Sequence, residues 1–181
     1  YVVGRTRSLG GQFPLVDAGG FFQDKLNGTN GISQLYDGFI ARFSLINEQL
    51  EWSTFWGGYA EEGITGVAVT PGPSPIVFIT GYTSTPVYTT SNCITPTDNG
   101  FPHCVLGYDQ AYGGGGIQSY DAFIAKFTGN NATLNWSTYV GGDLAEGPET
   151  RPSLWFDPEE IPPGGAKVHA MSNGNVLLYG N

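Results

Sequence analysis

The chain has 181 residues, of which 40% are hydrophobic and 14% aromatic, a composition typical of a globular protein with a core rather than of a disordered one. A formal net charge of −9, with only seven lysines and arginines, argues against nucleic acid, whose binding depends on basic clusters, and disfavours anionic membrane surfaces. No stretch approaches the roughly 20 apolar residues of a membrane-spanning helix, so we expect no membrane insertion.

Short apolar segments rich in β-branched and aromatic residues recur along the chain and are separated by turn signals. Glycine (28 residues) and proline (12 residues) are frequent, while strong helix formers are scarce, which favours an all-β protein. The predicted strands cover residues 1–6, 38–43, 50–56, 64–70, 76–80, 122–127, 134–140, 166–171 and 176–179. Two long connections (7–35 and 84–119) and a proline-rich insertion (148–165) interrupt this pattern.

The segment 36–63 recurs as 120–147, at a constant offset of 84 residues and without gaps. Fifteen of the 28 positions are identical, so the two segments are copies of one structural unit. The residues that recur as pairs are Asp37 and Asp121, Trp52 and Trp136, Gly57 and Gly141, Gly58 and Gly142, and Glu62 and Glu146.

Each unit is predicted to hold four strands in up-and-down order, with apolar residues on both faces of the small sheet. Radial stacking of such sheets covers both faces, which predicts a β-propeller of four-stranded antiparallel blades. Residues 1–63 would supply strands two to four of one blade with the long loop 7–35. Residues 64–147 would form a complete blade with the long loop 84–119, and residues 148–181 an insertion loop and the first two strands of a third.

A closed propeller needs at least four blades, so two to three blades cannot close the ring by themselves. We therefore expect the chain to belong to a longer polypeptide, whose remaining blades would be its first partners.

The repeat resembles the SBBP-type (seven-bladed) β-propeller repeat, which reads roughly Asp-Ala-Phe-Val-Ala-Lys-Leu, Tyr-Ser-Thr-Tyr-Leu-Gly-Gly, Gly-Ile-Ala-Val-Asp and a strand ending in Thr-Gly. The matching residues are 121–127, 137–142, 66–69 and 80–81. Trp52 and Trp136 are each followed by Ser-Thr and an aromatic residue. In this feature the repeat resembles the version found in large surface and secreted proteins of gliding, Bacteroidetes-like bacteria. The resemblance implies an extracellular or outer-surface location.

In an up-and-down sheet, the long connections (7–35, 57–63, 84–119 and 141–165) emerge on one rim, which we call the long-loop rim. Loops on a rigid scaffold are where binding is expected, although these loops could equally cover the ends of the core. Their aromatic residues could stack on sugar rings or plug the rim, and plugging is favoured. The candidates for a ligand are Tyr108, Tyr112, Trp155 and Phe156, together with Phe21 and Phe22.

The recurring carboxylates have three readings. A catalytic pair is needed only once, so recurrence of Asp37/Asp121 and Glu62/Glu146 favours carboxylates that stabilise a turn in every unit. Calcium, held by Glu62 or by Glu146 with Asp143, is the alternative, and no other cofactor is expected. No nucleophile elbow, zinc-protease or EF-hand motif is present in the sequence.

Cys93 and Cys104 lie eleven residues apart in one polar loop. A disulfide would pin this loop in an exported protein, whereas the same residues would be free thiols in a cytosolic one.

The repeat pattern leads to the expectation of a non-enzymatic module that is adhesive, structural or partner-binding. The resemblance implies that it belongs to a bacterial surface or secreted protein linked to gliding motility. The partners would be the remaining blades or neighbouring surface proteins. The alternatives are a carbohydrate-binding module, with a glycan ligand, or the propeller domain of a secreted enzyme acting on polysaccharides, with its acid pair in other blades.

Overall fold

A computed structural model of the chain describes residues 1–9, 11–28, 34–86, 100–102, 108–109, 111–113, 120–142, 167–171 and 175–179. Within these ranges the protein is all-β, and the nine predicted strands are present. They are β1 (Val2–Thr6), β2 (Asp37–Phe43), β3 (Leu50–Trp56), β4 (Glu62–Val69), β5 (Ile76–Thr83), β6 (Asp121–Thr128), β7 (Thr133–Val140), β8 (Lys167–Ala170) and β9 (Val176–Tyr179).

The strands form three antiparallel sheets in simple chain order. The first sheet is β1-β2-β3, the second is β4-β5-β6-β7, and the third is β8-β9. The 84-residue repeat is visible in the register, because Ala41 pairs with Ser53 in the first sheet and Ala125 pairs with Ser137 in the second. The four-strand, up-and-down unit predicted from the sequence is therefore confirmed for the second sheet.

The sheets stack one after another. Strand β4 lies against β1 and β2 of the first sheet and, on its other side, against β8 of the third. Small residues permit this approach: a Cβ added at Gly66 would lie 3.3 Å from the Cα of Lys167 and from the backbone nitrogen of Val168. A bulky side chain in this part of β4 would separate the second and third sheets.

The second sheet packs on both faces because successive residues of a strand point to opposite faces and its strands are apolar at successive positions. Val77 and Ile79 belong to the core between the first and second sheets, whereas Phe78, between them in β5, belongs to the core between the second and third sheets. The larger core is aromatic. The ring of Trp56 lies with its centroid 5.3–5.8 Å from the rings of Phe21, Phe101, Phe123 and Phe127.

Candidate functional site

The long loops cover the outer strand of each unit in the same way. The hydroxyl of Ser53, in β3, donates a hydrogen bond to the carbonyl of Pro14, and the hydroxyl of Ser137, in β7, donates to the carbonyl of Pro102 at 2.6 Å. Both prolines follow a phenylalanine in their loop. The Ser-Thr pair of the repeat thus ties a Phe-Pro segment of each loop to the edge of the sheet.

The threonine of the same pair makes the second tie. The hydroxyl oxygen of Thr54 accepts the backbone N–H of Gln23 at 2.8 Å, and that of Thr138 accepts the backbone N–H of Asp109 at 2.7 Å. An exposed strand edge invites pairing with other chains, and natural sheets often cover it with a loop. The two loops provide this cover at β3 and β7.

The phenylalanines before the two prolines are also equivalent. Each packs on the aromatic residues of strands three and four of its own unit: Phe13 on Phe39 and Phe55 at 5.0 and 5.1 Å between centroids, and Phe101 on Phe123 and Tyr139 at 5.2 and 5.0 Å. This repeat of the loops lies outside the 84-residue offset and was not predicted. The shared Phe-Pro dipeptide is the sequence signal that could have revealed it.

Two recurring carboxyl groups meet where the first sheet joins the second. Asp37 begins β2 and Glu62 begins β4, and both side chains have an exposed fraction of 0%. A Cβ added at Gly57 would lie 2.8 Å from both Asp37 Cγ and Glu62 Oε2, so these atoms are no more than twice that distance apart. Only glycine leaves room at position 57 for the pair.

Asp37 holds the long loop of the first unit. Its Oδ2 accepts the side-chain amide of Gln23 and the backbone N–H of Asn27, both at 2.9 Å, and its Oδ1 accepts the backbone N–H of Gly28 at 3.0 Å. In the second unit, Asp121 Oδ2 accepts the backbone N–H of Gly113 at 2.8 Å. The recurring aspartate therefore anchors a loop glycine in each unit.

Glu62 holds the turn before β4. Its Oε2 accepts the backbone N–H of Gly58 at 2.9 Å, and its Oε1 accepts the hydroxyl of Thr83 at 2.7 Å. The equivalent glycines of the second unit, Gly141 and Gly142, are exposed. The expected equivalent of the glutamate, Glu146, lies outside the described residues.

Burial governs the protonation of this pair. Desolvation raises the pKa of Asp37 to about 7, and desolvation with the negative charge of Asp37 raises the pKa of Glu62 to about 8. Two carboxyl groups so close together in a dry site hold a proton between them at neutral pH, because the doubly charged state is costly. Both side chains are fully buried at the junction of the two sheets, which favours a stabilising role for the pair over a catalytic one.

Calcium is poorly matched to the described part of this site. All four carboxyl oxygens of the pair already accept N–H or O–H hydrogen bonds, and a cation would have to displace those donors. Among the described residues, no group of three or more acidic, histidine or cysteine side chains could hold a metal ion. Asp143, the other candidate ligand besides Glu146, lies outside the described residues.

A second cluster lies above the pair on the long-loop rim. The guanidinium of Arg5 bonds Glu61 Oε1 at 3.3 Å and the hydroxyl of Tyr82 at 2.9 Å, and Glu61 Oε2 accepts the hydroxyl of Tyr120 at 3.3 Å. Arg5 also lies 4.3 Å from the ring centroid of Tyr36. This network joins β1 of the first sheet to the second sheet.

Arg7 adds an exposed cation to this cluster. Its guanidinium lies 4.3 Å from the ring centroid of Tyr36 and donates to the Tyr36 hydroxyl at 2.9 Å. Within the described ranges no carboxylate lies within 4.0 Å of it. Glu61 corresponds to Ala145 in the next unit, so this charged cluster, unlike the acid pair, is not a repeated feature of the sequence.

The candidate ligand-binding aromatics separate into three groups. Phe21 is buried in the core, Phe22 is half-buried, and the half-buried ring of Tyr112 lies 5.9 Å from that of Tyr139, so these three rings are largely covered by protein. Tyr108 is 99% exposed and is available to a ligand. Trp155 and Phe156 lie outside the described residues, as do Cys93 and Cys104.

No protein-family model matches the sequence, and no curated protein matches it either. In the part of the chain that the structure describes, no helix is long and apolar enough to cross a membrane.

Proposed function

We propose that the chain is a segment of a β-propeller of the SBBP type, in which the three sheets are successive blades. The observation that carries this proposal is that the second sheet is covered on both faces by sheets of neighbouring units, in chain order, with β4 beside β1, β2 and β8. Radial stacking of small four-stranded sheets repeats this contact between every pair of neighbouring blades until the ring closes.

The module is non-enzymatic and binds partners through its long-loop rim, in a protein of the cell surface or of the extracellular medium. The recurring carboxyl groups of the repeat support a structural use, since their oxygens accept hydrogen bonds from backbone N–H groups of the loops and turns. Arg7 and Tyr108, which do not recur in the repeat, are both exposed, and the proposed propeller would bring them to the long-loop rim. Its partners are the remaining blades and neighbouring surface proteins.

A glycan ligand is the second candidate. An exposed tyrosine and an exposed arginine on one rim are the side chains that stack on sugar rings and bond acidic substituents. Tyr108 and Arg7 have these properties.

The propeller arrangement is tested by distances between spin labels on the full chain. One pair is placed on the outer strands, at Glu51 and Asn135, and the other at the ends of the inner strands, at Val69 and Met171. Blades around an axis diverge outward, so we expect the outer pair to be clearly farther apart than the inner pair. Equal distances would indicate parallel layers, as in a sandwich, and would overturn the propeller.

Binding is tested separately. Antibody labelling of intact cells tests the surface location, and a glycan array probed with the full chain tests the second candidate. Saturable glycan binding that is lost in Tyr108→Ala or Trp155→Ala would establish a carbohydrate-binding module. The matched variant Leu45→Ala, on the opposite rim, should leave any such binding unchanged. Absence of labelling on intact and permeabilised envelopes would contradict the surface role.

A further inference from the structure

The first and second sheets make a complete contact, which serves as an internal template. The second and third sheets make the corresponding contact only in part. On the first sheet, Trp52 is 1% exposed and Trp56 is 0% exposed. The facing residues of the second sheet, Phe123 and Phe127, are likewise fully buried. This is what a complete contact between successive units looks like.

Part of that contact is a clamp on the turn between β6 and β7. The carbonyl oxygen of Gly129 accepts the indole N–H of Trp52 at 2.9 Å, the hydroxyl of Tyr1 at 3.1 Å and the guanidinium of Arg42 at 3.2 Å. Arg42 also donates to the side chain of Asn130 at 3.0 Å. Three donors from the first sheet thus hold one turn of the second.

The second sheet carries counterparts of two of the three donors one repeat further on. Trp136 and Lys126 stand at the positions of Trp52 and Arg42 and retain an indole N–H and a cationic donor. Trp136 packs on Phe78, with 6.3 Å between the ring centroids, and belongs to the core shared with the third sheet. It is only half-buried, however, and Val140, at the position of Trp56, is 38% exposed.

The third sheet leaves room for the missing half. Among the described residues it contains only β8 and β9. Strand β9 is equivalent to β5 of the second sheet, which pairs with β4 on one side and with β6 on the other, so the described part of β9 lacks a partner on the side of β6. The strands that would cover Trp136 and Val140 are therefore equivalent to β6 and β7, the third and fourth strands of a unit.

We propose that the face bearing Trp136, Lys126 and Val140 receives a hairpin of strands three and four from a further unit of this repeat, which pairs with β9 and sets the backbone carbonyl of its turn against Trp136 and Lys126. This inference rests on the proposed propeller and adds to it a specific docking contact. The occupant is defined by its chemistry, a β-turn carbonyl flanked by aromatic strand residues such as those of β6 and β7.

The turn of the repeat has a constant shape that suits this role. Glu48 and Ala132, which are equivalent, have left-handed backbones with φ of 57° and 53°. The first turn position needs glycine at 129, since a Cβ there would overlap the hydroxyl of Tyr1. Phe78 stands at the position of Tyr1 and has no hydroxyl, so the third donor of the first clamp has no counterpart in the second.

The test extends the full chain after Asn181 with a second copy of residues 83–142, in which the copied asparagine of position 130 carries the change Asn130→Asp. A zero-length carbodiimide then joins this carboxylate to any lysine in contact with it, and mass spectrometry locates the link. We expect a link to Lys126, together with at least tenfold slower amide exchange in β9. Arg42→Lys with Asn130→Asp in the unextended chain is the reference, because those positions are in contact.

The outcomes separate the two proposals. Suppose that exchange in β9 slows, that the reference pair is cross-linked, and that no link to Lys126 forms under the same conditions. This result would overturn the clamp and leave the propeller standing. Unchanged exchange in β9 would overturn both, since the hairpin would not have joined the third sheet. The variant Lys126→Arg in the extended chain should lose the link and keep the slowed exchange, which shows that the link reports the contact itself.

Discussion

Asp37 and Glu62 hold a proton at the junction of the first two sheets, where the same residues in water would both be ionised. Both are buried, and none of the described lysines and arginines forms an ion pair with them, so the doubly charged state is costly, while the loop and turn donors stabilise the singly charged one. Recurrence in the sequence indicates a structural use, and the contacts explain it, since each carboxyl holds a backbone segment that would otherwise lack partners.

This pair makes stability depend on pH. The pKa of both groups is higher in the folded protein, about 7 and about 8, than the ordinary values of 3.8 and 4.5. Stability from the bound proton is therefore complete below about pH 4 and is lost as the pH rises through 7 to 8. We expect Glu62→Gln to raise the free energy of unfolding at pH 9 by roughly 2–4 kcal/mol relative to the parent chain.

Urea unfolding between pH 5 and pH 9 measures this effect. Glu61→Gln is the matched control, because the Glu61 carboxylate is next to Glu62 in the chain but is part-exposed and bonded to Arg5. This variant should keep the pH slope of the parent chain. An unchanged slope in Glu62→Gln would mean that the pair is ionised without penalty.

At the scale of elements, the long loops act as covers for the outer strands. Replacing Ser53 by alanine removes the hydroxyl that holds Pro14, and we expect a loss of about 1 kcal/mol of stability. Amide exchange should accelerate at Val16, whose N–H bonds the carbonyl of Ser53 at 3.3 Å. Ser137→Ala should likewise accelerate amide exchange at Tyr139 of β7, whose N–H donates to the carbonyl of Asp109 in the second loop at 3.2 Å.

Hydrogen exchange followed by mass spectrometry reads out both loops in one experiment. Ser44→Ala, in an exposed turn away from the loops, serves as the control and should change neither. Equal acceleration of both loops in each single variant would show that they open together rather than independently.

The pairing of β4 with β5 depends on one close approach. A Cβ added at Gly81 would overlap the backbone carbonyl oxygen of Gly63, next to the irregular register between Ile64 and Gly66. We expect Gly81→Ala to destabilise the fold by more than about 3 kcal/mol, measured by thermal and urea unfolding. Gly11→Ala, where a Cβ would meet nothing within 4 Å, should be close to neutral.

At the scale of the whole molecule, the aromatic core between the first and second sheets couples their stability. Trp56 belongs to the first sheet and packs on Phe123 and Phe127 of the second, so removing its ring opens a cavity shared by both. We expect Trp56→Ala to cost about 4 kcal/mol and to accelerate amide exchange in β5 and β6 as well as in β3.

Val140→Ala is the matched variant one repeat further on and should cost less than about 1 kcal/mol, because Val140 is 38% exposed. Acceleration confined to β3 in Trp56→Ala would show that the sheets unfold separately, which would contradict a shared core.

The amino-acid sequence by itself determined the secondary structure and the unit. Alternating apolar residues and turn signals placed all nine strands, and the 84-residue repeat predicted which strands join in one sheet. These features are local or periodic, so they can be read from the chain without knowing which residues meet.

Only the tertiary structure decided what the repeated polar residues do. Nothing in the spacing of Asp37 and Glu62 says that their carboxyls meet across two sheets, because that contact depends on how one sheet stacks on the next. The match between Phe13-Pro14 and Phe101-Pro102 was hidden for a similar reason, since the long loops differ in length and share contacts rather than a constant offset. Contacts between distant segments follow from packing, and packing is a property of the folded chain.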